Sequence, residues 1–202
     1  MFIVFEGIDG SGKTTLSRKL YNFLLLRGVK TVWTREPYTE YIRSIVINHE
    51  LSPWEETLLF ITDRSIHIRE LLKPKLKKGF TVICDRFYLS TFAYQGFGKK
   101  IPLEYIKKIH RTVVGKMQPD ITFLLDIEPK KALDRVKGRG NFSRFERLEF
   151  LQEVRKGFLK LAEEEPNIFI LNGEKNIYEL LGEILHILNK KLELSFQKEI
   201  KS

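Results

Sequence analysis

The most distinctive segment of the sequence is the glycine-rich stretch at residues 7–14, which reads GIDGSGKT. It fits the phosphate-binding pattern G-x-x-x-x-G-K-[ST] at every fixed position and directly follows a short apolar run. Glycines let the backbone turn so that its N–H groups and the next helix's positive end point at one phosphate. Lys13 can then reach the β- and γ-phosphates of a nucleotide, and the Thr14 hydroxyl can bind Mg²⁺. The predicted ATP-binding residues here are Gly7, Gly10, Ser11, Gly12, Lys13, Thr14 and Thr15.

A second polar pair, Asp85 and Arg86, follows the apolar run at residues 80–84. An acid directly after a strand near such a loop typically supports the magnesium shell, and an arginine there can make two bonds to a phosphate. We therefore predict a metal site formed by Thr14 and Asp85, with Arg86 among the catalytic residues.

A basic segment at about residues 137–147 is predicted to be a short lid. Gly138 and Gly140 flank Arg139, and Arg144 follows. A closing lid must move and must also bring positive charge to the transition state, which suits arginines between glycines. The predicted catalytic residues are Lys13, Arg86, Arg139 and Arg144, and Arg135, just before the lid, is predicted to bind ATP.

The elements that must position these residues alternate along the chain. Segments with helical periodicity separate five short apolar runs, at residues 2–5, 29–34, 80–84, 121–125 and 168–171. Continuous apolar strands are typical of parallel sheets that are buried on both faces. Helix signals predict helices from near Thr14 to Gly28, from Pro53 to Gly79, from Pro102 onward, and at about residues 177–194.

The predicted fold is therefore α/β: a five-stranded parallel sheet with helices on both faces and a short arginine-bearing lid, in one domain of residues 1–202. Ligands bind such sheets beyond the carboxyl ends of the strands. The chain has 202 residues, 43% of them hydrophobic, and a net charge of +9. These values exclude a disordered tail, a collagen-like repeat and a disulfide-stapled miniprotein.

The basic charge favours polyanionic partners, among which nucleotides, nucleic acid and anionic membranes all qualify. The single cysteine, Cys84, favours a reducing compartment. No segment approaches the roughly 20 apolar residues that cross a bilayer. We expect a cytoplasmic protein with no membrane partner.

Four motifs make the sequence similar to the thymidylate kinase family over essentially its whole length. They read FEGIDGSGKTT at residues 5–15, TREP at 34–37, LLFITDR at 58–64 and DRFYLSTFAYQG at 85–96. The last is the most specific. The resemblance implies ATP-dependent phosphorylation of thymidine monophosphate (dTMP) to the diphosphate, with Mg²⁺ as cofactor and a homodimeric assembly.

The resemblance also implies roles in the acceptor pocket. Phe60 would stack on the thymine ring, and Arg64 would donate a hydrogen bond to its O4 atom. Asp9 would contact the sugar 3′-hydroxyl. Tyr94 would pack under the sugar and exclude ribonucleotides, because a close aromatic wall rejects a 2′-hydroxyl. The remaining residues expected in this pocket are Ser90, Thr91 and Gln95.

Phosphate binding in this family requires positive charge, because donor and acceptor phosphates repel by about 4 kcal/mol per charge pair at about 4 Å. The resemblance assigns Arg35 and Arg86 to the acceptor phosphate. Some family members carry a catalytic arginine inside the phosphate loop. This loop has none, so the lid would supply it. The chain also departs from the family pattern at Ser143, where aspartate is usual, and at residues 38–39, where Tyr-Thr replaces Gly-Gly.

Two other classes of function compete with this interpretation. A deoxynucleoside kinase, or another nucleoside monophosphate kinase, has the same loop, and a hydroxyl acceptor would need a base such as Glu36. A nucleotide-dependent switch or nucleic-acid-binding module would also use the loop. The segment at residues 189–192, NKKL, lacks the aspartate of a guanine-reading motif. We therefore expect ATP and dTMP as partners, and no nucleic acid.

Overall fold

The structure is a computed structural model that describes residues 1–136 and 144–201, with side chains at 1–136 and 147–191. Its strands follow the five predicted apolar runs closely. They are β1 (Phe2–Glu6), β2 (Thr31–Arg35), β3 (Thr81–Asp85), β4 (Ile121–Asp126) and β5 (Ile168–Asn172).

All five strands are parallel and lie in the order β2-β3-β1-β4-β5, which confirms the predicted sheet. Strand β1 is therefore flanked by β3 and β4. The register pairs Phe5 with Asp85, and Asp85 with Arg35. Because parallel strands end at the same edge of a sheet, the loop after β1 and the Asp85–Arg86 pair border one crevice.

Side chains of the central strand pack alternately into two hydrophobic cores, one on each face of the sheet. Phe2 and Val4 belong to one core, and Ile3 and Phe5 to the other. Burial on both faces explains why this strand is an unbroken apolar run in the sequence.

Helices cover both cores. They are α1 (Lys13–Leu26), α2 (Glu40–Asn48), α3 (Pro53–His67), α4 (Lys73–Lys77), α5 (Tyr88–Thr91), α6 (Leu103–Val114), α7 (Pro129–Arg135), α8 (Arg144–Glu163) and α9 (Ile177–Lys201). π-Helical segments at Ile68–Leu72 and Phe92–Gly98 follow α3 and α5. Within the described ranges, no helix has the length and apolar character that crossing a bilayer requires.

The helix predicted between Pro53 and Gly79 is present but is not regular throughout. Its middle, Ile68–Leu72, is π-helical. Pro74 lies at the start of the next turn, where it has no N–H to donate to the preceding turn, and the hydrogen-bond register changes there.

The predicted end of the last helix near residue 194 is wrong, because α9 continues to Lys201. Residues 195–201 contain neither glycine nor proline. Nothing in their sequence therefore stops a helix that has already begun.

Candidate active site

The phosphate loop lies where the sequence predicts it, between β1 and α1. Its backbone depends on Gly10, which has a φ of 85°. A Cβ atom at Gly10 would lie 2.3 Å from the carbonyl oxygen of Ala132 on α7, so only glycine fits. No side chain caps the start of α1. Its first N–H groups can therefore bind an anion.

Lys13 is the buried cation of this loop. Its Nζ atom donates to the carbonyl oxygen of Ile8 at 2.8 Å. Burial and, to a smaller extent, the neighbouring Arg86 guanidinium lower the pKa of Lys13 to about 8, although Asp9 and Asp85 oppose the shift. The ammonium group therefore lies inside the loop in a site where a phosphate would strongly favour its charged form.

Thr14 and Asp85, the predicted metal ligands, are in direct contact. The Thr14 hydroxyl donates to Oδ2 of Asp85. The other carboxylate oxygen, Oδ1, is buried and has no hydrogen-bond partner. An unpaired carboxylate oxygen beside a hydroxyl suits Mg²⁺, which prefers oxygen ligands and retains several waters. No three His, Cys, Asp or Glu side chains form a metal-binding group in the described part of the chain.

Arg86 connects the loop to the acceptor side of the crevice. Its guanidinium donates to Asp9 Oδ1 at 2.6 Å and to Ser90 Oγ at 2.9 Å. Attraction to Arg86 lowers the pKa of Asp9 to about 2. The Tyr94 hydroxyl donates to Asp9 Oδ2 at 3.2 Å, and burial raises the pKa of Tyr94 above its usual value. Asp9 is therefore ionised and Tyr94 neutral at physiological pH.

A cavity of about 460 Å³ opens beside this cluster. Eight of the nine predicted substrate-binding residues line it: Asp9, Phe60, Arg64, Arg86, Ser90, Thr91, Tyr94 and Gln95. The ninth, Arg35, is exposed at the end of β2 and is not among the lining residues.

Two residues that line the cavity, Arg64 and Gln95, each have one buried polar atom without a hydrogen-bond partner. Arg64 is 2% exposed and donates from Nε and Nη2 to Glu36, the Phe87 carbonyl and Thr91, while its Nη1 is buried without a partner. Gln95 donates from Nε2 to Glu56 at 2.8 Å, while its Oε1 is likewise buried and unpaired. One donor and one acceptor are therefore free for a ligand.

Of the three arginines predicted on the donor side, the structure describes the side chain of Arg135. Arg135, on α7, donates from Nη1 to the carbonyl oxygen of Gly173 at 3.0 Å. Arg144 begins α8, but its side chain lies outside the described residues, as do Arg139 and Ser143.

The sequence did not identify two residues that line the cavity, Glu56 and Phe150, or the buried carboxylate of Glu6. Glu56 lies one turn before Phe60 on α3, a spacing that could have placed both on one face. Phe150, from α8, meets the Tyr94 ring edge-on at 6.0 Å, and no local signal identifies it. Glu6, at the end of β1, is fully buried.

Comparison with known proteins agrees with this geometry. A family model described as Thymidylate kinase matches residues 5–184. The thymidylate kinase of Wolbachia pipientis subsp. Culex pipiens is 42% identical, with 95% of this chain and 97% of the relative covered. That of Thermosipho africanus is 39% identical, covering 96% and 100%. The crystal structure of thymidylate kinase from Ehrlichia chaffeensis superposes with a TM-score of 0.77 at 35% identity, covering 93% and 98%. This chain therefore belongs to the thymidylate kinase family.

Proposed function

We propose that this protein transfers the γ-phosphoryl group of ATP to dTMP, producing dTDP and ADP. The observation that carries the proposal is the pair of unpaired atoms on two cavity-lining residues, the Nη1 donor of Arg64 and the Oε1 acceptor of Gln95. They lie beside Phe60, an aromatic ring on which a base can stack.

Thymine carries an acceptor and a neighbouring donor that complement the Arg64 donor and the Gln95 acceptor. Its O4 atom accepts a hydrogen bond and its N3–H group donates one, so Arg64 and Gln95 can each gain a partner. Cytosine presents an amino donor and an unprotonated N3 in the same places, which leaves both protein atoms unpaired. Glu56 fixes the orientation of the Gln95 amide, because a carboxylate can accept only from the amide nitrogen.

The sugar and phosphate would then extend toward Arg86. Ionised Asp9 can accept a hydrogen bond from the 3′-hydroxyl, and neutral Tyr94 can wall the sugar against a 2′-hydroxyl. Arg86 can form a two-point contact with the acceptor phosphate. We retain Arg35 as a second phosphate ligand that would have to reach the phosphate from the end of β2.

On the donor side, the loop backbone and Lys13 would bind the phosphates of ATP, with Arg135 nearby. Thr14 and Asp85 would hold Mg²⁺, which neutralises charge on the transferring phosphoryl group when it is bound. Arg139 and Arg144 stay as proposed sources of the catalytic arginine.

The chemistry needs positioning rather than a base. A phosphate monoester has a second pKa of about 6, so the acceptor oxygen is already ionised at neutral pH. Glu36, the base that a deoxynucleoside kinase would require, has both oxygens engaged: Oε2 by Arg64 and Oε1 by His67. This arrangement disfavours a hydroxyl acceptor.

A coupled assay of ADP release tests the proposal directly. Equal concentrations of dTMP, dUMP, dCMP, dAMP, dGMP, TMP with ribose, and thymidine are compared with ATP and Mg²⁺. We expect dTMP to have the highest kcat/KM. A faster reaction with thymidine, or equal rates with dCMP, would refute it.

We also propose that the protein is a homodimer. Helices α2, α3 and α6 pack side by side. Trp54 and Leu58, one turn apart on α3, are exposed, as are Tyr105 and Val113 on α6. Such a set of apolar side chains suits a second copy of the chain. Sedimentation velocity should give a dimer for the native protein and a monomer for Leu58→Glu, and a native monomer would contradict this.

A cytoplasmic location stays a prediction of the sequence.

A further inference from the structure

Glu6 is a buried carboxylate in direct contact with the segment that carries Arg86. It is the last residue of β1 and is 0% exposed. Its Oε1 accepts from the backbone N–H groups of Phe87, at 2.8 Å, and Ser90, at 3.2 Å. Its Oε2 accepts from the Ser90 hydroxyl. Each oxygen therefore has a distinct set of partners.

The Ser90 hydroxyl links this carboxylate to the predicted phosphate ligand. Ser90 Oγ donates to Glu6 and accepts from Nη1 of Arg86 at 2.9 Å. A hydroxyl that donates to a carboxylate is a better acceptor for a guanidinium. Glu6 thus acts on the orientation of the Arg86 side chain without touching it.

The backbone at Arg86 needs the same support. Arg86 has a φ of 72°, in the left-handed region that non-glycine residues rarely adopt. Such a conformation persists where the surrounding structure fixes it, and it is often found at functional sites. Oε1 of Glu6 binds the N–H groups just after this residue, so the carboxylate restrains the turn.

Burial makes Glu6 an expensive residue for a purely structural task. Desolvation raises its pKa to about 7, and the hydrogen bonds from Ser90 and the attraction of Arg86 only partly oppose this. An apolar side chain would avoid that cost but would leave the N–H groups of Phe87 and Ser90 without this partner. The carboxylate therefore serves both the backbone after Arg86 and, through Ser90, the guanidinium.

The geometry points to Glu6 as a positioning residue for phosphoryl transfer: through Ser90 it holds the Arg86 guanidinium in the orientation that receives the acceptor phosphate. This inference rests on the proposed function. Glu6 itself is fully buried and is not among the residues that line the cavity. Its Oε1 supports the backbone, and its Oε2 supports the side chain of Arg86.

A double-mutant cycle separates these roles. Ser90→Ala removes the hydroxyl link but leaves both backbone N–H groups paired with Oε1. Glu6→Gln keeps the shape and removes the charge. We expect each variant to lower kcat/KM for dTMP by about 10-fold, and the KM for ATP to change by less than about 2-fold.

The kcat/KM of the double variant, Glu6→Gln with Ser90→Ala, decides between the alternatives. If Glu6 acts through Ser90, Glu6→Gln lowers kcat/KM little further in the Ser90→Ala background, and the combined loss of kcat/KM stays at about 10-fold. Independent roles, including a direct contact of Ser90 with substrate, would multiply to about 100-fold and overturn the inference. Unchanged dTMP kinetics in the single variants would also overturn it.

A replacement variant and the activity of the wild-type protein keep the test decisive. If Glu6→Gln does not fold, Glu6→Asp, which withdraws the carboxylate from Ser90, replaces it in the cycle with Ser90→Ala, with the same criterion of non-additivity. If the wild-type protein turns over dTMP while the cycle is additive, only the role of Glu6 fails. If the wild type does not phosphorylate dTMP, the proposed function fails first.

Discussion

Replacing Gln95 by leucine should reduce the preference for dTMP over dCMP without disrupting the fold. The variant removes the buried Oε1 acceptor but leaves Glu56 paired with Lys99, whose Nζ lies 2.6 Å from the same carboxylate. Because Glu56 keeps a cation, no unpaired buried charge is created. The effect should therefore fall on base recognition.

The magnitude follows from hydrogen-bond energetics. For dTMP, the lost bond from N3–H to a neutral acceptor costs about 1 kcal/mol. For dCMP, the variant removes a penalty of at least about 1 kcal/mol, because Oε1 no longer faces the unprotonated N3 atom without a donor. The two changes sum to about 2 kcal/mol and should narrow the dTMP:dCMP ratio of kcat/KM by roughly 30-fold.

The assay is competitive turnover of dTMP and dCMP by Gln95→Leu, with Lys99→Met as the matched control. Lys99→Met also removes one partner of Glu56 but leaves Oε1 of Gln95 in place. It should retain the native ratio. An unchanged ratio in Gln95→Leu, or an equal loss in both variants, would refute the assignment of Gln95 as a base reader.

Three further predictions concern the donor side. Lys13→Ala should abolish most turnover. In the native protein, the affinity for Mg²⁺-free ATP should fall above about pH 8, because Lys13 loses its proton there. Calorimetric titration of ATP at pH 7 and pH 9 checks this. Arg139→Ala and Arg144→Ala should lower kcat much more than they raise KM, because a lid cation acts mainly in the transition state. Steady-state kinetics tests this, and a raised KM with unchanged kcat would mean that these arginines only bind substrate. Gly10→Ala should lower both the melting temperature and ATP affinity, because the added Cβ meets the Ala132 carbonyl; differential scanning calorimetry with and without ATP tests this.

The sheet and the loop could be predicted because their signals are local. Each strand is a continuous apolar run, and the phosphate loop has fixed residues at fixed spacing directly after the first run. Parallel strands then require the residues after β1 and β3 to meet. The sequence alone therefore predicts Lys13, Asp85 and Arg86 at one edge of the sheet, and the pairing of Phe5 with Asp85 agrees.

The details of the acceptor pocket could not be predicted in this way, because they depend on pairs that are distant in sequence. Arg64 lies on a helix where a charged residue normally faces water. It is buried because Glu36, 28 residues earlier, and the Phe87 carbonyl, 23 residues later, satisfy its donors. Its one unpaired donor, Nη1, is the result of that burial.

The π-helical segment Phe92–Gly98 has a similar origin in tertiary packing. A Cβ at Gly98 would lie 2.6 Å from the Phe150 ring, and one at Gly157 of α8 would lie 2.5 Å from Phe97. The two elements therefore approach through reciprocal glycine–aromatic contacts. Sequence alone identifies neither contact, although together they bring Phe150 to the substrate cavity.

The distribution of charge in the crevice indicates why catalysis in this protein should depend on added cations. Lys13 and Arg86 face Asp9, Asp85 and Glu6, so the built-in carboxylates already offset the built-in positive charge. Two phosphate-bearing substrates would add several negative charges to a cluster whose described carboxylates already balance Lys13 and Arg86. The extra charge must therefore come from groups that arrive with the nucleotide or from the arginines outside this cluster. We therefore expect the dTMP-binding residues to act mainly in recognition, and most electrostatic stabilisation to come from the added cations once both substrates are bound.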